Sequence, residues 1–225
     1  GYRHVGTART PEEQDDIPVI EKNNIKIAFL SYTYCMNGSD LTPGKEYMAN
    51  SLRLNKPDTD ISLIRRHIAI AKERGADIVV AILHWSVEFE TYPIENVMKM
   101  GHRIMECGVD IILGGHAHVA QPMEKYSFFD PYEKRRKDGF IIYSLGELVS
   151  VNLLSKNSWL ANLIRLEISK GTENGAALVK ITGLQVLPIF TCFRQFRDGG
   201  SDYRVLDFRR VMQDLHDGNN PYGLG

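Results

Sequence analysis

Two histidines one residue apart, His116 and His118, follow directly on Gly114 and Gly115 at the end of the apolar run Val109–Leu113. Five residues of this kind, four of them apolar and three β-branched, read as a short buried strand. A glycine turn breaks the strict alternation of a strand, so both imidazoles can point into one small space. A third histidine, His84, follows another near-continuous apolar run, Asp77–Leu83. Imidazole is a common ligand for zinc, manganese and iron. The histidines by themselves leave two readings open: a metal site, or side chains solvated in polar loops.

The elements around them narrow the choice. Asp58 or Thr59 can cap a helix running to about Arg74, with Ile61, Ile64, Ile68 and Ala71 as its buried stripe and Gly75 as its stop. A second helix is expected from about Ile94 to Cys107, stopped by Gly108. Two buried strands joined by a helix make a right-handed βαβ crossover with parallel strands. His84 and His116 then both fall just past a strand's C-terminal end, where ligand sites of open α/β sheets collect. Delivery of three histidines to one rim favours the metal reading.

Elsewhere the chain predicts strands at Ile17–Ile20 and Ile25–Leu30 and a long Gly- and Pro-containing loop over 38–57. Lys125–Asp138 is charged and reads as a surface excursion. Gly139–Leu145 reads as a strand ending in Gly146 and Glu147. Trp159–Ile168 and Ala177–Pro188 suit an antiparallel pair with a turn around Lys170–Gly175. A polar, partly basic stretch (Thr191–Arg209), a short helix (Arg210–His216) and a frayed tail (Asn219–Gly225) close the chain, with 194–225 expected to be peripheral. His4 and His102 are expected to be structural or exposed, and His67 a surface or half-buried helix residue. Cys35, Cys107 and Cys192 lack disulfide or metal spacing and read as small buried apolar residues.

The 225 residues carry a formal net charge of −1, which gives no electrostatic footprint for nucleic acid. No apolar run is long enough to span a bilayer, and no signal peptide is visible at residue 1.

Four ordered motifs carry a resemblance. Tyr32-Thr33-Tyr34 with Asn37-Gly38, Leu83-His84-Trp85-Ser86-Val87-Glu88, Gly115-His116-Ala117-His118-Val119-Ala120-Gln121-Pro122 and Tyr143-Ser144-Leu145-Gly146 together resemble the bacterial capsule-synthesis CapA family of poly-γ-glutamate capsules. That family in turn is similar to the calcineurin-like metallophosphoesterases. The resemblance runs over nearly the whole chain, weakening after about Phe193, and implies one domain over 1–225 that matches the C-terminal portion of the family's domain. It implies an α/β fold: a partial metallophosphoesterase-like sandwich, with a parallel βαβ core plus antiparallel strands. It also implies a centre of one or two divalent transition-metal ions (Mn, Zn or Fe) with His84, His116 and His118 as ligands. His118 and Glu88 are the implied catalytic residues, and Asn37, Gln121 and Glu147 candidates for substrate contact. The substrate would be a phosphoester or a polyglutamate-type chain, the partners a capsule-synthesis complex at the membrane, and the location the cell envelope or its extracellular face. Relatives are usually held there by an N-terminal segment that this chain lacks. The early ligand blocks of the superfamily, two aspartates and an asparagine with a histidine, are absent from this chain. Glu147 stands where asparagine is usual, and Ser86 where glycine is usual.

The chemistry of the donors sets a limit. Neutral imidazoles donate lone pairs but remove none of an ion's charge. Three of them hold one ion with an open position, and a two-ion centre needs a bridging carboxylate. Glu88 or Glu147 can add a carboxylate, or serve as an outer partner of a ligand. Three functions follow: a metal-dependent hydrolase, a polymer-binding or capsule-assembly component without catalysis, and a plain α/β domain with structural histidines. The first needs imidazoles 84, 116 and 118 to converge on one rim of the sheet.

Overall fold

In a computed structural model, which describes residues 2–150, 155–173, 176–195 and 199–222, a six-stranded mixed sheet lies between a layer of helices and a second, antiparallel sheet. The first sheet has the order β1-β2-β3-β4-β6-β5, with β1 at Val19–Lys22, β2 at Ile25–Thr33, β3 at Ile78–His84, β4 at Ile111–Gly115, β5 at Met123–Asp130 and β6 at Arg135–Ile142. Strands β2, β3, β4 and β6 are parallel; β1 and β5 pair antiparallel at the two edges. Helix α1 is the single turn Pro11–Gln14, and helices α2 (Ser62–Glu73) and α3 (Glu95–Met105) are the crossovers into β3 and β4. The expected βαβ unit with parallel strands is present.

Alternation along the strands explains the layers. Val79, Ala81 and Leu83 face the helices, where Ile64, Ile68 and Ala71 of α2 and Val97, Met100 and Ile104 of α3 close the main core. Ile78 and Val80 face the other way, with Ile111, Phe140 and Ile142. That second face is covered by β7 (Leu160–Glu173) and β8 (Ala176–Gln195) through Ile164, Leu166, Ile168, Val179 and Ile181. Both faces of β3 and β4 are thus largely covered, as their near-continuous apolar sequence requires, although Ile82 near the end of β3 stays 39% exposed. The second sheet has the order β7-β8-β9, with β9 at Ser201–Asp207. Helix α4 (Phe208–His216) packs Val211 against Phe190 and Cys192.

Several expectations change. The helix expected from Asp58 or Thr59 begins at Ser62, because the Asp60 carboxylate accepts from both the backbone and the hydroxyl of Ser62, at 2.8 and 3.0 Å. The charged stretch Lys125–Asp138 is not a surface excursion: it forms most of the β5–β6 hairpin. Its turn is set by Asp130, whose carboxylate accepts from the backbone N–H groups of Tyr132 and Glu133, with Lys134 in the left-handed region. β8 continues to Gln195 and β9 pairs with it, within a stretch read from the sequence as polar and partly basic. Residues 174–175 of the expected turn and 223–225 of the expected tail lie outside the described residues. Cys35 and Cys107 are partly exposed, whereas Cys192 is buried.

His67 also departs from expectation, being fully buried. Its Nδ1 lies 2.8 Å from the Tyr32 hydroxyl, and its Nε2 lies 3.3 Å from an Asp15 carboxylate oxygen. Burial holds its pKa below the ordinary value, against the pull of Asp15. The folded chain therefore resists protonating His67 while the unfolded chain accepts a proton near pH 6.5. Its contribution to stability is complete above that pH and is lost as the pH falls below it. The loss of melting temperature between pH 7 and pH 5 should be shallower in His67→Gln than in the parent; an unchanged slope would contradict this account.

A buried ion cluster fixes the far end of the sheet. The Lys137 ammonium on β6 is bonded to Asp110, Asp130 and Glu133, the last two at 3.1 and 2.6 Å. Asp110 in turn accepts from the Val79 backbone at 2.8 Å, pinning the start of β3. Burial pushes the Asp110 carboxyl up, and the Lys137 charge opposes it. Removing that charge leaves Asp130 without its buried cation and Asp110 with the more distant Lys72, at 3.9 Å, as its partner. Lys137→Met should lower unfolding free energy by about 3–5 kcal/mol, measured by urea denaturation at neutral pH.

Candidate metal centre

Strand register brings the site together. Thr33 on β2 is the register partner of His84 on β3, and His84 is the partner of Gly115 on β4. The three strands therefore end on one row, and the residues after them share one rim. The His84 and His116 rings stand edge to face with centroids 4.4 Å apart, and the His116 and His118 centroids are 5.8 Å apart. The His116 ring is thus flanked by those of His84 and His118.

The backbone at this rim is strained. Ser86 (φ 76°), Phe89 (φ 64°), His116 (φ 92°) and His118 (φ 58°) all occupy positive φ without being glycine. Each such residue costs on the order of 1–3 kcal/mol, and such residues cluster at functional sites. Neighbouring groups hold them in place. Asn55, from the long 38–57 loop, clamps Ser86 by accepting from its N–H at 2.8 Å and donating to its carbonyl at 2.7 Å. The Phe89 N–H donates to the Ala117 carbonyl at 2.8 Å, tying the loop after β3 to the loop after β4. The indole N–H of buried Trp85 donates to the Tyr143 carbonyl at 2.9 Å.

Carboxylates complete the donor set. One ligand atom each from Glu88, His116 and His118 lies within 4.8 Å of the others. His118 Nε2 is 4.0 Å from a Glu88 oxygen, and His118 Nδ1 is 3.4 Å from a Glu147 oxygen. Glu88 is 54% exposed and Glu147 is 16% exposed. Two neutral nitrogens and a carboxylate at this spacing fit one divalent transition ion after small side-chain rotations. His84 borders this trio through its ring contact with His116. Burial, and after it the neighbouring imidazoles, lowers the pKa of both His84 and His116, which favours the neutral form a metal requires. A second acidic group, Asp110 with Asp130 and Glu133, also falls within ligand spacing, but the Lys137 ammonium occupies it.

The remaining candidates are placed differently. Gln121 is buried; its amide donates to the Glu90 carbonyl at 2.8 Å and to the Ser86 hydroxyl at 3.3 Å, so it braces the strained loop. Asn37 sits in the turn after β2, where it accepts a bond from the Cys35 thiol at 3.5 Å; it makes no hydrogen bond to the three histidines among the described residues. Two residues at the rim carried no assigned role in the sequence. The Tyr34 hydroxyl is 2.9 Å from His116 Nε2, and the Thr33 hydroxyl is 2.8 Å from His84 Nδ1. Hydrogen bonding to Cys35, then burial, pushes the Tyr34 phenol up to about 12. The signal available for both was their place at the end of β2 within the Tyr32-Thr33-Tyr34 motif.

Comparison with known proteins follows the same residues. The profile described as bacterial capsule synthesis protein PGA_cap matches residues 1–152. The "Capsule biosynthesis protein CapA" of Bacillus anthracis is 27% identical over 183 residues, covering 81% of this chain and 40% of the relative. The "PGA biosynthesis protein CapA" of Bacillus subtilis (strain 168) is 31% identical over 127 residues, covering 56% of this chain and 29% of the relative. This chain spans less than half the length of either.

Gly114 shows how closely the rim is packed. A Cβ there would lie 2.0 Å from the Tyr143 carbonyl oxygen and 2.6 Å from Trp85 Nε1, whereas a Cβ at Gly115 meets nothing within 4 Å. Gly114→Ala should destabilise the chain by about 3 kcal/mol or more, and Gly115→Ala by under about 1 kcal/mol; equal losses in thermal or urea unfolding would refute the packing argument.

Proposed function

The chain belongs to the bacterial capsule synthesis protein PGA_cap family, and from that premise we propose that it serves poly-γ-glutamate capsule biosynthesis as a metal-dependent hydrolase of the phosphoesterase type. The carrying observation is the convergence of Glu88, His116 and His118 within ligand spacing on a strained rim. In this reading His84, His116 and His118 are ligands of a divalent transition metal, manganese, zinc or iron, and Glu88 supplies the carboxylate. A bound ion of this kind polarises a phosphoryl or carbonyl oxygen and lowers the pKa of bound water. The chain's own residues do the rest. Glu147 orients the His118 ring through Nδ1, Tyr34 and Thr33 hold the other two rings, and Asn55 and Gln121 keep the loop that carries Glu88 in place. His118 and Glu88, the most exposed members, face an incoming phosphoester or polyglutamate-type chain. The donor set suits one ion, and a second would need ligands beyond those found among the described residues.

The second reading, a polymer-binding or assembly component, draws support from that single-ion donor set and from the exposure of Glu88. Either role is proposed for the cell envelope, in company with other capsule-synthesis proteins. No helix among the described residues is long and apolar enough to cross a membrane.

Manganese or zinc should bind the chain at one ion per molecule and raise its melting temperature; at a hundredfold excess over Kd the gain is about 2.7 kcal/mol, abolished by chelator. His116→Ala should lose both the shift and any manganese-dependent cleavage of a generic phosphodiester. Metal binding without cleavage in the parent, with binding of polyglutamate retained in His116→Ala, would replace the hydrolase by the assembly role.

A further inference from the structure

We infer that Thr33 is a positioning residue for this site: its hydroxyl holds His84 as the Nδ1–H tautomer and thereby reserves Nε2 as the ligand nitrogen. The purpose of that arrangement rests on the metal reading above, but its geometry does not. The Thr33 Oγ1 lies 2.8 Å from two atoms, the Cys35 carbonyl oxygen and His84 Nδ1. A hydroxyl has one proton, and a carbonyl oxygen can only accept. The proton therefore goes to Cys35, and toward His84 the Thr33 oxygen can only accept. Nδ1 must carry the hydrogen. A neutral imidazole has a single N–H, so the lone pair is on Nε2, which has no hydrogen-bond partner among the described residues.

The fold makes this contact obligatory. Thr33 and His84 are register partners across the parallel β2–β3 pair. The Cys35 carbonyl is brought back over Thr33 by the turn that ends β2. The next residue grips the same histidine from its backbone: the Tyr34 N–H donates to the His84 carbonyl at 2.8 Å. A β-branched side chain has few χ1 choices, so the hydroxyl is held where the ring needs it. Outer partners of this type fix tautomer and ring orientation in metal sites, and their loss typically lowers metal affinity by about 10–100-fold.

The test reads the tautomer directly. The metal-free chain, labelled with 15N-histidine and held above the imidazole titration range, is examined by long-range 1H–15N correlation, with His84 assigned by its absence in His84→Asn. His84 should be Nδ1-protonated in the parent and in Thr33→Ser. In Thr33→Val it should move toward the Nε2–H form that imidazole favours in water, and manganese affinity should fall about 10–100-fold while Thr33→Ser retains it. An Nε2–H His84 in the parent, or a tautomer unchanged in Thr33→Val, overturns the inference whatever the variants do to folding. An Nδ1–H parent that binds no manganese upholds the tautomer assignment and overturns the metal reading instead.

Discussion

The register of three parallel strands is the constraint on which the site depends. Because Thr33, His84 and Gly115 pair in one row, whatever follows each of them is delivered to the same rim. Parallel pairing requires crossovers, and the crossovers require both faces of the sheet to be dry. The helices α2 and α3 on one face and the β7–β8 pair on the other are therefore conditions for the histidines to be delivered to that rim. A slip of one residue in β3 would send His84 to the opposite face and part it from both Thr33 and His116.

The rim itself is built against backbone preference. Four non-glycine residues at positive φ within two neighbouring loops persist only where surrounding bonds over-determine them. Here those bonds come from far along the chain: Asn55 from the long loop, Gln121 from the segment after the histidines, and the Tyr143 carbonyl from the end of β6. The Gly114 gap is what allows Trp85 to reach that carbonyl. The loops carrying Glu88 and His118 are thus one braced unit rather than two independent excursions.

How much of this was legible follows from the range of each interaction. The parallel core and the three histidines could be read because apolar runs and the glycines after them are local signals. Glu88 came from the family motif around His84. The role of Thr33 could not be read, because it depends on a register between residues 51 apart; nor could the clamp of Asn55 on Ser86. The β5–β6 hairpin was hidden because its solvent-facing positions hold Lys125, Arg136 and Asp138, which mask the alternation of an edge strand. Lys137 looked like part of that charged run and is the one residue in it that turns inward to meet Asp110. His67 sits beside two arginines in sequence, and only the folded chain shows that Tyr32 from β2 and Asp15 from the end of α1 flank it.

Lys137 has one more effect. Its ammonium is tethered to the sheet, so it answers the Asp110–Asp130–Glu133 trio at an effective concentration that no dissolved cation matches, and neither chelation nor dilution can wash it out. The far end of the sheet is consequently indifferent to the ionic supply of its surroundings. In the metal-dependent role proposed above, the rim that bears the imidazoles is what senses it, which would divide the molecule into an end that keeps its shape and an end that responds.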